Sequence, residues 1–235
     1  EMSRKLSQYG IGAGDRIAIL SSNTPNWTVA FFSAVAFGRI AVPILPDSSE
    51  NEVTNILEHS NCKAIYVSRK FLSKLNPELV KRLTMVIDID DFSLIHVDDN
   101  AFTCDGRTIA PQPDDLATII YTSGTTGSAK GVMLSHKNLC TNIVISYHAH
   151  KTDEKDVWLS ILPMPHTYEM SIGMLYPIFV GAEVYYLQKP PTATVLLSAL
   201  KKVRPTVMLS VPLIIEKMYK ASILPTIQKS RVLKW

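Results

Sequence analysis

The chain has little of what would commit it to several common designs. Its three cysteines, Cys62, Cys104 and Cys140, form no CxxC pair and have no histidine at metal-ligand spacing, so neither a disulfide framework nor a zinc site follows. They read as reduced thiols of a cytoplasmic protein. Charge is scarce: charged residues make up 19% of the sequence and the net charge is +3. The basic runs, such as Lys201, Lys202 and Arg204, are short and lack interleaved aromatics, which excludes nucleic acid as the expected partner. Uninterrupted apolar runs of membrane length are missing as well. Arg39 and Pro43 break Trp27 to Pro46, and Pro177, Gly181 and Glu183 break Tyr168 to Leu187. Each stretch reads as a buried helix followed by a buried strand, and no membrane span is expected, with peripheral membrane contact left open. The opening residues EMSRKLSQYG carry no Met at position 1 and no apolar signal core, and they read as part of an amphipathic helix inside a longer chain.

What the chain does have is apolar mass. With 46% hydrophobic residues over 235 positions it can bury a sizeable core, and disorder is excluded. Ile17 to Leu20 is a short β-rich run after a Gly-Asp turn, and Asn23, Thr24 and Pro25 start a helix that runs apolar to Phe37 and stops at Gly38. Ile40 to Leu45 is the next strand. Ser48 or Ser49 caps a helix over Glu50 to His59, and Ala64 to Val67 is a third strand. Strand and helix alternating at this spacing predict parallel βαβ units and an α/β fold with parallel-rich sheets flanked by helices.

From Asp98 to Asp115 the sequence turns polar and Pro-rich, which divides the chain into a first α/β sub-unit over 1–110 and a second over 111–235. In the second, a strand at Leu116 to Tyr121 leads into a loop, a strand at Gly131 to Leu134 and a helix capped by Ser135. Strands are also expected at Val184 to Leu187 and Val207 to Val211, with a helix at Leu196 to Val203 between them.

The loop is the part with chemistry written in it. YTSGTTGSAKG, Tyr121 to Gly131, holds three glycines, five serine or threonine hydroxyls and one lysine in eleven positions. Glycines let backbone N–H groups converge on an anion, hydroxyls add hydrogen bonds, and the lysine adds a mobile positive charge, so the segment suits polyphosphate. A surface linker would explain the glycines and hydroxyls without requiring a lone lysine between apolar strands. It is not a Walker A loop, because Gly131 and a strand follow Lys130, and it is not a GxGxxG dinucleotide turn.

YTSGTTGSAKGVMLSHKNL resembles the signature of the acyl-adenylate-forming superfamily. GDRIAILSSNTPNW, AVPILP, ILEHSNCKAIYVS, LPMPHTYE and SVPLIIEKMY resemble family segments in the family's order, over nearly the whole chain. The His166-x-x-Glu169 pair and the stretch with Val211, Pro212 and Lys217 make it most similar to long-chain fatty acid–CoA ligases. The resemblance implies an ATP-dependent acid–thiol ligase of the AMP-forming kind, using a fatty acid, ATP, Mg²⁺ and coenzyme A. It implies that Thr122, Ser123, Gly124, Thr125, Thr126, Gly127 and Lys130 hold the β- and γ-phosphates, and that Lys130 and His166 are catalytic, His166 meeting the carboxylate or a phosphate. Tyr168 would line the acyl entrance. It further implies that the chain stops inside the family's large N-terminal domain, without the adenine, ribose and Mg²⁺ ligands or the C-terminal catalytic lysine, so that this portion alone is not competent. His136, Asn138 and Asn142 read as structural, and Lys70, Lys74, Lys201 and Lys202 as solvated faces. An amino-acid or aryl-acid adenylation module and a non-catalytic α/β binding piece are the alternatives. Departures from the family pattern are Ser128-Ala129 where a proline is common, and Arg39 where a small residue is common.

Overall fold

The structure is a computed structural model describing residues 1–98, 100–101, 109–122 and 130–229. Seven strands form one sheet: β1 (Arg16–Leu20), β2 (Ile40–Ile44), β3 (Cys62–Val67), β4 (Met85–Asp88), β5 (Leu94–Val97), β6 (Leu116–Thr122) and β7 (Lys130–Ser135), in the order β5-β4-β3-β1-β2-β6-β7. Pairing is parallel from β4 across to β6 and antiparallel at both edges. A second, parallel sheet contains β8 (Val157–Ser160), β9 (Glu183–Tyr186) and β10 (Val207–Met208) in the order β10-β8-β9. This is the expected α/β class. The β6–β7 hairpin follows the polar connector yet adds to the first sheet beside β2, so the large sheet draws strands from both sides of residue 110.

The helices are α1 (Met2–Gln8), α2 (Pro25–Val35), α3 (Glu50–Ser60), α4 (Pro77–Val80), α5 (His136–Ala149), α6 (Tyr176–Val180), α7 (Ala193–Val203), α8 (Pro212–Met218) and α9 (Leu224–Lys229). Their starts follow local chemistry. Thr24 caps α2 by accepting from the Trp27 N–H at 3.3 Å, with Pro25 in the first turn, where no N–H is needed. Ser49 and Glu52 close a reciprocal capping box at α3, and Ser135 and Asn138 do the same at α5. Thr192 caps α7, which starts three residues before the expected Leu196, while the strand expected over Val207 to Val211 ends at Met208 and Pro212 opens α8. Among the described residues no helix is long and apolar enough to cross a membrane: Trp27 to Pro46 is α2 followed by β2, and Tyr168 to Leu187 holds a π-helical segment (Glu169–Leu175), α6 and β9.

Alternation in the central strands splits the core in two. Ile17, Ile19, Ala41, Tyr66 and Ile87 face one side with Trp27 and Phe31 of α2, while Ala18, Leu20, Val42, Ile65 and Val86 face the other with Val53, Ile56 and Leu57 of α3. Trp158, Met164, Met170 and Met174 from around the small sheet join the first of these cores, which packs the small sheet onto α2. Arg39, fully buried between α1 and α2, donates to Ile11 O, Ser3 O, Ser33 O and the hydroxyls of Ser3 and Ser7. An arginine is accommodated where a small residue is common because every side of its guanidinium meets an oxygen.

Candidate active site

The strands β6 and β7 flank the phosphate-type segment and pair antiparallel with each other. Thr122 and Lys130 are register partners at their open end, both exposed, and Ser123, Gly124, Thr125, Thr126 and Gly127 lie outside the described residues. A strand does follow the lysine, as the comparison with a Walker A loop required. The root of the hairpin is fixed by packing. A Cβ at Gly131 would stand 2.8 Å from Ile119 Cγ2 and 3.4 Å from the Tyr121 ring, so glycine is needed where Tyr121 crosses its strand partner. The Tyr121 hydroxyl shares a 2.7 Å hydrogen bond with His59 Nδ1 of α3, and burial pushes its pKa up.

Because β6 runs parallel to β2, Thr122 and its partner Lys130 lie at the carboxyl edge of β1 and β2. At that edge the residues following both sheets meet around a cavity of about 310 Å³, lined by Ser22 and Asn23 after β1, Pro46 and Asp47 after β2, Ile161 and Pro163 after β8, and Leu187 to Pro190 after β9. Open α/β sheets bind ligands in crevices outside strand carboxyl ends. Asn23, read from sequence only as a helix-start signal, joins the two sheets here. Its amide donates to Ser160 Oγ at 3.1 Å and Leu162 O at 2.6 Å, and its oxygen accepts from the Met164 N–H at 3.0 Å. Lys70 is exposed, as expected of a solvated face, and also donates to Ser22 Oγ at 2.7 Å, whereas Lys74 is half-buried and donates to Pro46 O and Ser48 O at 2.7 Å each, tying the 3₁₀ turn Arg69–Lys74 to this rim. Lys201 and Lys202 are exposed in the last turn of α7, where the helix dipole favours cations.

His166 stands on the segment that Asn23 pins. Its N–H closes a turn onto Pro163 O at 3.0 Å, its carbonyl accepts from the Met170 N–H at 2.9 Å, and its side chain is exposed. Tyr168 is half exposed. Among the described residues no hydrogen bond joins His166 to the hairpin, so Lys130 and His166 stand on separate elements of one edge. His166 and Glu169 do not act as a contacting pair either: His166 points out, while Glu169 is 0% exposed, with no hydrogen bond of ordinary geometry at either oxygen. Burial pushes the Glu169 pKa up to about 7, and the Ser160 hydroxyl pulls against that shift. A sequence signal for this burial was available, since Glu169 opens the apolar run MSIGMLYPIFV.

A metal is harder to fit. Among the described residues no group of three or more His, Cys, Asp or Glu converges, so no step is derived through Mg²⁺.

A family profile described as AMP-binding enzyme matches residues 1–233. The chain is 31% identical over 247 aligned residues to long chain acyl-CoA synthetase 6, peroxisomal, of Arabidopsis thaliana, covering 97% of the chain and 35% of that protein. It is 32% identical over 192 residues to 4-coumarate:CoA ligase 1 of Petunia hybrida, covering 78% of the chain and 35% of the relative. Among solved structures, ATP-bound MatB from Rhodopseudomonas palustris superimposes with a TM-score of 0.78 at 23% identity, over 94% of this chain and 44% of that one. The chain thus spans about a third of the length of these two sequence relatives. By its sequence over residues 1–233, the chain belongs to the AMP-binding enzyme family.

Proposed function

We propose that this chain is the phosphate-holding part of an ATP-dependent acid–CoA ligase, and that its acid is a long-chain fatty acid. One observation carries the reading: Thr122 and Lys130 pair across the open end of β6 and β7, at an edge where two sheets open onto a shared cavity. In the first step a carboxylate oxygen bonds to the α-phosphorus of ATP as the bond to pyrophosphate breaks, giving an acyl-adenylate. In the second, the thiol of coenzyme A bonds to the acyl carbon as AMP leaves. Both partners of the first step are anions, so catalysis is mostly charge neutralisation and positioning. Lys130 supplies the cation for the β- and γ-phosphates, with Thr122, Ser123, Gly124, Thr125, Thr126 and Gly127 donating around them, and His166 meets the carboxylate or the α-phosphate. Mg²⁺, once bound, would neutralise phosphate charge. The compartment we propose is the cytoplasm, in keeping with the free thiols of Cys62 and Cys140.

Calorimetry of ATP binding to the 235-residue chain, with Mg²⁺ and a Lys130→Ala control, tests the loop. The expected result is binding that the substitution abolishes, and equal binding by both proteins would sink the assignment. In a competent enzyme the same substitution should remove about 3 kcal/mol of transition-state stabilisation. A second reading, an aryl acid as substrate, is favoured by the 32% identity to a 4-coumarate ligase. Pyrophosphate exchange driven by palmitate but not by 4-coumarate supports the fatty-acid reading, and the reverse replaces it.

A further inference from the structure

Glu169 is a carboxyl group sealed into the molecule at the first residue of a π-helical segment. The room it occupies exists because residue 173 has no side chain. A Cβ at Gly173 would lie 2.6 Å from the Glu169 carboxyl carbon and 2.7 and 2.8 Å from its oxygens. A buried acid without a hydrogen-bond partner is costly, and unsatisfied groups and π-turns both concentrate where a protein has a use for them. The neighbours suggest the use. Ser160 ends β8, is buried, and faces the carboxyl group. The same hydroxyl oxygen accepts from Asn23, whose remaining bonds hold Leu162 and Met164. From β9, Tyr186 is held by a 3.0 Å bond to Thr28 of α2, and burial, with a smaller addition from the Glu169 charge, pushes its phenol pKa up. On the other side, the Met170 N–H binds the His166 carbonyl.

We propose that Glu169 is a positioning residue that acts through Ser160 and Asn23 on the segment Ile161–His166, and so sets where His166 stands. The catalytic part of this inference rests on the role given to His166 above, and the positioning part does not. Ionised, Glu169 attracts the Ser160 proton, which polarises the hydroxyl and strengthens the bond its oxygen accepts from Asn23. Neutral, Glu169 exerts no such pull, and the Asn23 bond weakens.

Methionine amides read both ends of the path in the 235-residue chain labelled with [¹⁵N]methionine. Met164 donates its amide to Asn23, and Met170 follows Glu169 in sequence. Both amide resonances should move with pH about a midpoint near 7, and both should stop moving in Glu169→Gln. In Ser160→Ala, Met170 should still move and Met164 should not. A Met164 amide that keeps its wild-type response in either variant, or that stays still in the wild type, overturns the proposal. In adenylate formation by the complete enzyme, Glu169→Gln should hold KM for the acid within about twofold, and Glu169→Leu should raise it about tenfold with KM for ATP unchanged. Equal acid KM in all three proteins would reduce Glu169 to a structural role. Unchanged adenylate formation in His166→Ala would sink the reading of His166 while the methionine titration still decides the positioning.

Discussion

Arg39 and Glu169 are both fully buried and ionisable, one beneath the large sheet's first helices and the other beside the small sheet, and the protein treats them in opposite ways. The guanidinium has five oxygen acceptors gathered from α1, α2 and the turn between α1 and β1. Burial lowers its pKa, yet the charge is tolerated because its donors are met. The carboxyl group has no such company. Burial raises its pKa into the neutral range, so the group is neutral over much of the pH scale. What separates them is neither depth nor charge but the supply of partners. The charge buried in the first half of the chain is satisfied, and the second half, next to the candidate site, keeps an acid that is not.

The sharpest way to break that contrast is to remove the satisfied group. Arg39→Met should destabilise the fold by about 4 kcal/mol, because it strands the acceptors that the guanidinium holds, and urea unfolding would measure it. A loss under about 1 kcal/mol would mean that the scaffold is not satisfied through Arg39. Removing the unsatisfied charge should act in the other direction. The folded pKa of Glu169 lies above its ordinary value, so the folded chain holds the extra proton, and stability falls as pH rises from about 4.5 to about 7 before levelling off. Glu169→Gln should therefore gain about 3 kcal/mol over the wild type at pH 8 and about nothing below pH 4, as thermal unfolding at several pH values would reveal. A pH-independent difference would contradict a buried acid that titrates. The smallest effect concerns the cradle. Gly173→Ala should cost about 2 kcal/mol through the clash with the carboxyl group, and Glu169→Ala in the same chain should recover most of it. Additive losses in the double variant would show that the two residues do not share one space.

Sequence reasoning found most of the large sheet because its central strands are buried on both faces and so appear as short apolar runs with turn residues at their ends, as in Ile17 to Leu20. Caps were readable for the same local reason, Ser49 and Ser135 each lying three residues before a Glu or Asn that completes the box. The strands β4, β5 and β8 were not found. They are four residues long and carry Asp88, His96 or Ser160, so no periodicity develops in them. At the candidate site, Thr122 and Lys130 were visible in the loop's composition, whereas Asn23, Ser160 and Glu169 meet only across the two sheets. Asn23 and Ser160 are 137 positions apart, and local pattern has no means of reporting such a contact.

The strand order also has a consequence in time. β1 to β5 lie within residues 16–97 and complete most of the large sheet from near neighbours, but the edge of β2 stays open until β6 arrives, 77 positions from its partner across the Ala41–Thr118 pairing. Pairings of that separation close slowly compared with local ones. On a ribosome, where the chain emerges from its amino end, the strand pair that bears Lys130 must wait for a finished docking edge, so β6 and β7 are the last strands of this sheet to be placed. A destabilised β2 would expose that edge to other chains before its own hairpin could cover it, and aggregation of the nascent protein would follow.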